Sequence, residues 1–224
     1  MRRDRSRLQQ RRISGIEHIL TLGDERFGIM LDRLKEIILE KSFQYSEQPK
    51  FDLAHAGKSN FYFDCKTTML DPEGAEIIAH LIFDKIKDLD ISAVGGLELG
   101  AVPILSNVIL ISQQEGKPIK GFVVRKEVKG HGKRRKIEGQ IDPGEKVVVV
   151  DDVITTGTST IRAIEAISKI DATVEKVIVL VDREESDGRQ NIQQLCPNVE
   201  SLIRRSEIMA LYNKRKEQDR VAVG

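Results

Sequence analysis

Apolar residues recur at helical spacing in FGIMLDRLKEIIL, residues 27–39, and a polar stretch containing Pro49 then ends the pattern. The spacing predicts a helix there. Asp71-Pro72-Glu73 predicts a second one, with an N-cap carboxylate, a proline at the first helical position and an acid in the first turn. Ile77, Ile78, Leu81, Ile82 and Ile86 follow on one face. Beyond them the period changes. Short apolar runs at 91–94, 121–124, 147–150 and 177–181 suit strands buried on both faces, and the stretches between them are long enough for crossover helices. One connection is explicit. Ile161, Ile164, Ile167 and Ile170 form a helical stripe after the valine run 147–150, and the next strand begins near Lys176, which makes a strand-helix-strand unit of a parallel, helix-covered sheet. There is no internal repeat. The stretch after Cys196 ends in polar, mixed charge and carries little functional information.

Composition narrows this picture without redirecting it. The chain has 224 residues, 40% hydrophobic and 32% charged, enough apolar material for one sizeable core. Its net charge of +1 gives no overall electrostatic case for nucleic acid or membrane as a partner. No apolar run approaches the length that spans a bilayer. Two distant cysteines, Cys65 and Cys196, without CxxC spacing or an apolar leader, are expected to be reduced thiols of a cytoplasmic protein. The Arg-rich start, MRRDRSRLQQRR, has no apolar face to offset the entropy of being ordered. Residues 1–25 are therefore expected to form a basic, mobile extension, and residues 26–224 a single domain.

Candidate chemistry concentrates in VVVVDDVITTGTST, residues 147–160. Ligands of parallel sheets bind beyond the carboxyl ends of the strands, where Asp151 and Asp152 stand. Thr155-Thr156-Gly157-Thr158-Ser159-Thr160 then leads into a helix whose unpaired N–H groups and positive dipole end suit a phosphate. A hydroxyl-rich N-cap or two solvated acids would explain either feature alone. Together they fit a ligand that is phosphate at one end and polyol at the other, as a phosphorylated sugar is. A Walker A loop is excluded at Gly57-Lys58-Ser59, because Asp52 occupies the position of its first glycine.

This segment resembles the 5-phosphoribosyl-1-pyrophosphate (PRPP) signature of the type I phosphoribosyltransferases. The resemblance implies a central parallel sheet flanked by helices, with a small N-terminal hood from about residue 26 to 70. It also implies that Asp151 and Asp152 meet the ribose hydroxyls, while Thr155, Thr156, Gly157, Thr158 and Ser159 hold the 5-phosphate. Repulsion between the acids would be relieved by hydroxyl donors and by the cationic character of a ribosyl transition state.

Arg125-Lys126-Glu127-Val128-Lys129-Gly130-His131-Gly132, followed by more basic residues, has the glycines and charge of a mobile loop, and by itself is equally a solvated basic loop. Chemistry favours a role, since cations closing over a departing pyrophosphate in a dry site stabilise its charge. The stretch resembles the RK-x-x-K-x-HG loop of orotate phosphoribosyltransferases, a closer match. By that resemblance Arg125, Lys126, Lys129 and His131 bind pyrophosphate oxygens, with Lys129 and His131 crossing into the neighbouring subunit of a homodimer. His131 could also carry a proton. Ile137-Glu138-Gly139 matches the closing segment of the same family.

The segment from Lys58 through Phe61, Tyr62 and Phe63 to Asp64 resembles the one that surrounds orotate, although aromatics are more often core. Arg183 would face the orotate carboxylate with Thr155 beside it, whereas without the resemblance an Asp182–Arg183 ion pair would explain it. Gly95-Gly96-Leu97-Glu98-Leu99-Gly100-Ala101 looks like the pyrophosphate loop. Some relatives have a lysine where Glu98-Leu99 stands and another near Ala54 and His55, departures that bear on pyrophosphate affinity and rate rather than on reaction type.

The resemblance implies a homodimeric orotate phosphoribosyltransferase of pyrimidine (UMP) biosynthesis. PRPP and orotate are its expected substrates, Mg²⁺ is held mainly by PRPP and water rather than by protein ligands, and neither nucleic acid nor membrane is a partner. Two alternatives stay open at this point. One is a purine or uracil phosphoribosyltransferase, and the other is a non-catalytic PRPP-sensing regulator.

Overall fold

The computed structural model describes residues 23–53, 57–127 and 136–223. Helix α1 (Gly23–Lys41) opens it, starting four residues before the expected Phe27 and burying Leu34, Ile37 and Ile38. Four short strands follow: β1 (Phe43–Tyr45), β2 (Phe51–Leu53), β3 (Gly57–Ser59) and β4 (Phe61–Phe63). They pair antiparallel as β1–β4 and β2–β3, two small ribbons in the position of the expected hood. Phe43 and Phe63 sink from it into the main core, their ring centroids 5.0 Å apart.

A short helix, α2 (Lys66–Met69), leads to α3 (Pro72–Ile86). The α3 N-terminus is built as its sequence predicts: Gly74 N–H donates to Asp71 Oδ1 at 3.1 Å, and Pro72 occupies the first turn. Ile77, Ile78, Leu81, Ile82 and Ile86 are all buried.

The remaining elements are β5 (Ala93–Leu97), α4 (Ala101–Gln114), β6 (Lys120–Val124), β7 (Ile137–Gly139), β8 (Lys146–Ile154), α5 (Thr158–Ser168), β9 (Thr173–Asp182), α6 (Gly188–Gln193), β10 (Val199–Arg204) and α7 (Arg205–Val223). Six strands form the central sheet in the order β10-β9-β8-β5-β6-β7, parallel except for the β6–β7 pairing at one edge. The valine run explains why the sheet is covered on both faces. Val148 and Val150 join the core under α1, α3, α4 and the hood, whereas Val147 and Val149 join the core under α5. A strand's side chains alternate between faces, and burying each valine fully is worth about 1.5–3 kcal/mol, so the run specifies a sheet with helices above and below.

Strand boundaries depart from the sequence expectation at both ends: β9 starts at Thr173 rather than near Lys176, β5 starts at Ala93 rather than residue 91, and two strands run on past their expected carboxyl ends. β8 runs on to Ile154 and β5 to Leu97, so Asp151 and Asp152 lie inside the last turns of a strand, and Gly95 and Gly96 are strand residues rather than loop. Ladder pairing with β9, Asp151 opposite Val179 and Ile154 opposite Asp182, carries the strand past its apolar run. The C-terminal stretch is also richer than expected. β10 adds an edge strand parallel to β9, and α7 brings Tyr212 against Phe43 and Tyr45, with centroid distances of 6.0 and 5.6 Å. No helix among the described residues is long and apolar enough to cross a membrane.

Candidate active site

The carboxyl end of β8 gathers the expected sugar-phosphate residues within one continuous segment. Asp151 is 3% exposed, and each of its oxygens accepts at least one local donor. Ser159 Oγ and Thr160 Oγ1 donate to Oδ2 at 2.6 and 2.9 Å, and Asp152 N–H donates to Oδ1 at 3.0 Å. Burial, reinforced by the Asp152 charge and opposed by the two hydroxyls, pushes the Asp151 carboxyl from its ordinary 3.8 up to about 7. Asp152 is the more open of the two. Val153 N–H donates to its Oδ1 at 2.9 Å, and Lys66 Nζ, from α2, lies 3.6 Å from its Oδ2 and 3.8 Å from Asp64. Burial lowers and the two carboxylates raise the Lys66 pKa, with a net rise.

The first residue before α4 is Gly100, and the acids show why. A Cβ there would lie 2.7 Å from Oδ1 of both Asp151 and Asp152, closer than real contacts allow. The backbone of the glycine stretch therefore meets the acid pair directly, although only its last glycine does so.

After β8 the chain turns through Thr155 and Thr156 to Gly157, whose φ of +81° is a left-handed conformation that side chains disfavour. Gly157 begins α5 without a side-chain cap, which leaves the helix N-terminus open to an anion. Thr156 and Thr158 hydroxyls bond each other at 2.9 Å, and Asn191 of α6 donates to Thr156 O at 3.2 Å, fixing the turn from behind.

Arg183 stands one strand away. Its backbone N–H donates to Ile154 O at 3.1 Å, which sets residue 183 beside the end of β8, just before the threonine turn. It is 4% exposed, and burial lowers its pKa while Glu185 opposes the fall. Nη2 donates to Phe61 O at 2.9 Å and to Ser59 Oγ at 3.2 Å, tying β9 to the hood. The ion pair with Asp182 that would be the alternative explanation of Arg183 does not form. Asp182 instead accepts from Arg189 Nε at 2.8 Å, and Arg183 pairs with Glu185 at 2.9 Å.

The aromatics divide between faces of β4. Phe61 packs inward against Tyr45, 5.6 Å between centroids, with the Arg205 guanidinium 4.6 Å over its ring. Tyr62 faces outward and stacks on Phe51 at 5.6 Å. Phe61 thus reaches Arg183 through its carbonyl rather than its ring.

Of the basic loop, Arg125 and Lys126 lie at the end of β6. Arg125 pairs with Glu138 at 3.2 Å, while Lys126 N–H donates to Glu98 Oε1 at 2.8 Å and its carbonyl accepts from Lys136 Nζ at 2.9 Å. Glu98 therefore braces the base of that loop. Lys129 and His131 lie outside the described residues, as do Ala54, His55 and most of the N-terminal extension. Cys65, fully buried behind the site, has its thiol pushed well up by burial and the Asp152 charge, which leaves it inert.

Sequence reasoning missed Lys66 and Glu185. Each sits within two residues of a residue it did single out, Asp64 and Arg183, and the dense charge of DREES was the available signal for the second.

The family model of the phosphoribosyl transferase domain matches residues 67–196. The orotate phosphoribosyltransferase of Aquifex aeolicus is 40% identical over 183 residues, covering 81% of this chain and 100% of that protein. The chain belongs to the orotate phosphoribosyltransferase family. Among solved structures, the Mycobacterium tuberculosis orotate phosphoribosyltransferase in complex with Fe(III) dicitrate superposes with a TM-score of 0.66 at 29% identity, over 80% of this chain and 98% of that one. The same M. tuberculosis enzyme in complex with PRPP gives a TM-score of 0.63 at 27% identity, over 80% and 91% of the two chains. Family membership accounts for the order of the motifs along the chain, from the hood aromatics through β5, β6 and β8 to Arg183 just past β9.

Proposed function

We propose that the protein transfers the 5-phosphoribosyl group from PRPP to orotate, forming orotidine 5'-monophosphate and pyrophosphate in pyrimidine biosynthesis. One observation carries this reading: adjacent strand ends present an acid pair with an uncapped helix N-terminus at β8 and a buried guanidinium just past β9, joined by the Arg183 backbone N–H to Ile154 O bond. The first pair of features suits ribose 5-phosphate and the second suits a carboxylated base.

In this reading Asp151 and Asp152 accept hydrogen bonds from the ribose hydroxyls and favour positive charge at the anomeric carbon as its C–O bond breaks and the bond to the base forms. Thr155 to Ser159 hold the phosphate. Arg183 fixes the base through its carboxylate, with Thr155, Phe61 and Tyr62 around it. Arg125, Lys126, Lys129 and His131 meet the departing pyrophosphate, the last two from the partner subunit of a homodimer, and His131 carries a proton. Catalysis comes from positioning and electrostatics, without a covalent enzyme intermediate.

Mg²⁺ fits this donor set as an ion held by substrate and water. Among the described residues no cluster of three His, Cys, Asp or Glu side chains is arranged to hold a metal, and the hard oxygens of Asp151 and Asp152 already accept protein donors. When bound, Mg²⁺ would neutralise charge on the pyrophosphate oxygens.

The test is spectrophotometric. Orotate should disappear when enzyme, PRPP and Mg²⁺ are mixed, with no comparable turnover of uracil, adenine or guanine. Unchanged orotate alongside turnover of another base would assign a different specificity.

A further inference from the structure

The guanidinium assigned to the substrate carboxylate is already paired with a carboxylate of its own chain. Glu185 Oε2 lies 2.9 Å from Arg183 Nη2, and Ser59 Oγ donates to Glu185 Oε1 at 3.0 Å. The fit is poor. Nη2 has two hydrogens and is asked to serve three oxygens, those of Glu185, Phe61 and Ser59. Meanwhile Arg183 Nε is buried without a hydrogen-bond partner, and Glu185 Oε2, though close in charge, has no donor aligned on it. A guanidinium recognises a carboxylate best through two parallel N–H groups, and here one edge of the fork is unused inside the protein.

The surroundings leave Glu185 somewhere to go. A cavity of about 330 Å³ is lined by Glu185 together with Asp182, Glu184, Asp187, Arg189 and Arg204, a mixed-charge space large enough for a displaced carboxylate to enter. Its neighbours Glu184, Ser186 and Asp187 have φ of 54°, 58° and 53°, all left-handed, in a segment pinned at one side by Glu184 accepting from Ser206 N–H at 2.8 Å. Non-glycine residues in that conformation recur at ligand clamps and switches.

We propose that Glu185 is a placeholder for the substrate's carboxylate, neutralising Arg183 in the empty site and swinging into the neighbouring cavity when a carboxylated base takes the guanidinium fork. This inference rests on the reading that Arg183 faces that carboxylate. It makes Glu185 a specificity-determining residue. A carboxylated base offers two oxygens in exchange for the one poorly aligned contact it displaces, while a neutral base offers nothing and leaves Glu185 in place. The exchange also competes with orotate, so the wild-type site binds it more weakly than the guanidinium alone would.

Steady-state kinetics and thermal unfolding of Glu185→Gln test the exchange. Orotate KM should fall by about fivefold or more, and the orotate-induced rise in unfolding temperature should exceed that of the wild type, because ligand now relieves a buried charge without a partner. A residue that merely braced Arg183 would give the opposite, so an unchanged or raised KM, or an equal or smaller ligand-induced rise, overturns the proposal. Ser59→Ala, which removes the hydroxyl that anchors Glu185 and also relieves Arg183 Nη2 of one of its three acceptors, should lower KM by about twofold, and an unchanged or raised KM there counts against the exchange if Glu185→Gln does not fold. Arg183→Ala separates the two layers. If it leaves orotate KM unchanged, the assignment of Arg183 itself fails. If it raises KM while Glu185→Gln does not lower it, only the exchange fails.

Discussion

The proposed sugar-phosphate end and the proposed base end of this site are built in opposite ways. Asp151, Asp152, the threonine turn, Ser159 and Thr160 come from a single stretch, and the side-chain hydrogen bonds among them join residues no more than nine positions apart. The base end is assembled from Ser59 and Phe61 of the hood and Arg183 and Glu185 past β9, across more than a hundred residues. A segment that folds on itself presents a rigid cradle. An assembly bridging hood and sheet depends on how those bodies pack, and there the polar fit is imperfect, with Arg183 Nε and Glu185 Oε2 unsatisfied. In the proposed reading rigidity thus falls on the phosphoribosyl part of the substrates, and adaptability on the part that distinguishes bases.

Substitutions at each end should separate cleanly. Arg183→Ala should raise orotate KM by about a hundredfold while leaving PRPP KM within a few-fold, since truncating one member of a buried charge contact costs about 2–5 kcal/mol. Comparable losses for both substrates would merge the two ends into one unit. Gly100→Ala should do the reverse more mildly. Its methyl would crowd both acid carboxylates, and PRPP KM should rise by about tenfold with orotate KM little affected.

The third contrast is in pH. Asp151 titrates near 7 in the folded chain against an ordinary 3.8, so its protonated form is favoured by folding. That contribution is complete below the ordinary value and is lost as pH rises through about 7, adding a destabilising slope of up to about 1.4 kcal/mol per pH unit across the window. Denaturant unfolding of Asp151→Asn against wild type from pH 4 to 7.5 should show this slope removed, and parallel pH profiles would contradict it. The smallest effect belongs to Lys66, half-exposed and 3.6 Å from Asp152. Lys66→Ala should change stability by less than about 1 kcal/mol, and a larger loss would mean that the cradle leans on the hood side after all.

The same contrast governs how much could be read in advance. The valine run, its acids and the turn were legible because sheet periodicity, a hydroxyl-rich turn and a helix start all fall within fourteen consecutive letters, residues 147–160. The α3 cap at Asp71 was legible for the same reason. Strand ends were not, since β8 continues through Asp151 and Asp152 by pairing with β9, a tertiary effect without a local apolar signal. β10 and α7 were hidden because VESLIR is short and broken by polar residues, as an edge strand tolerates, and because α7 buries little beyond Ile208. Glu185 was invisible as a partner of Arg183 for a subtler reason. Asp182 adjoins the arginine in sequence, but strand alternation sends neighbouring side chains to opposite faces, and Asp182 meets Arg189 instead.

Calorimetric titration of PRPP, with Mg²⁺ present, into the wild-type chain and into the double variant Asp151→Asn, Asp152→Asn tests the central claim most directly. Saturable binding by the wild type, weakened by about a hundredfold or more when both charges are removed, is the predicted result. Equal affinity in the two proteins, or no PRPP binding by the wild type, would contradict a ribose phosphate seated at the end of β8.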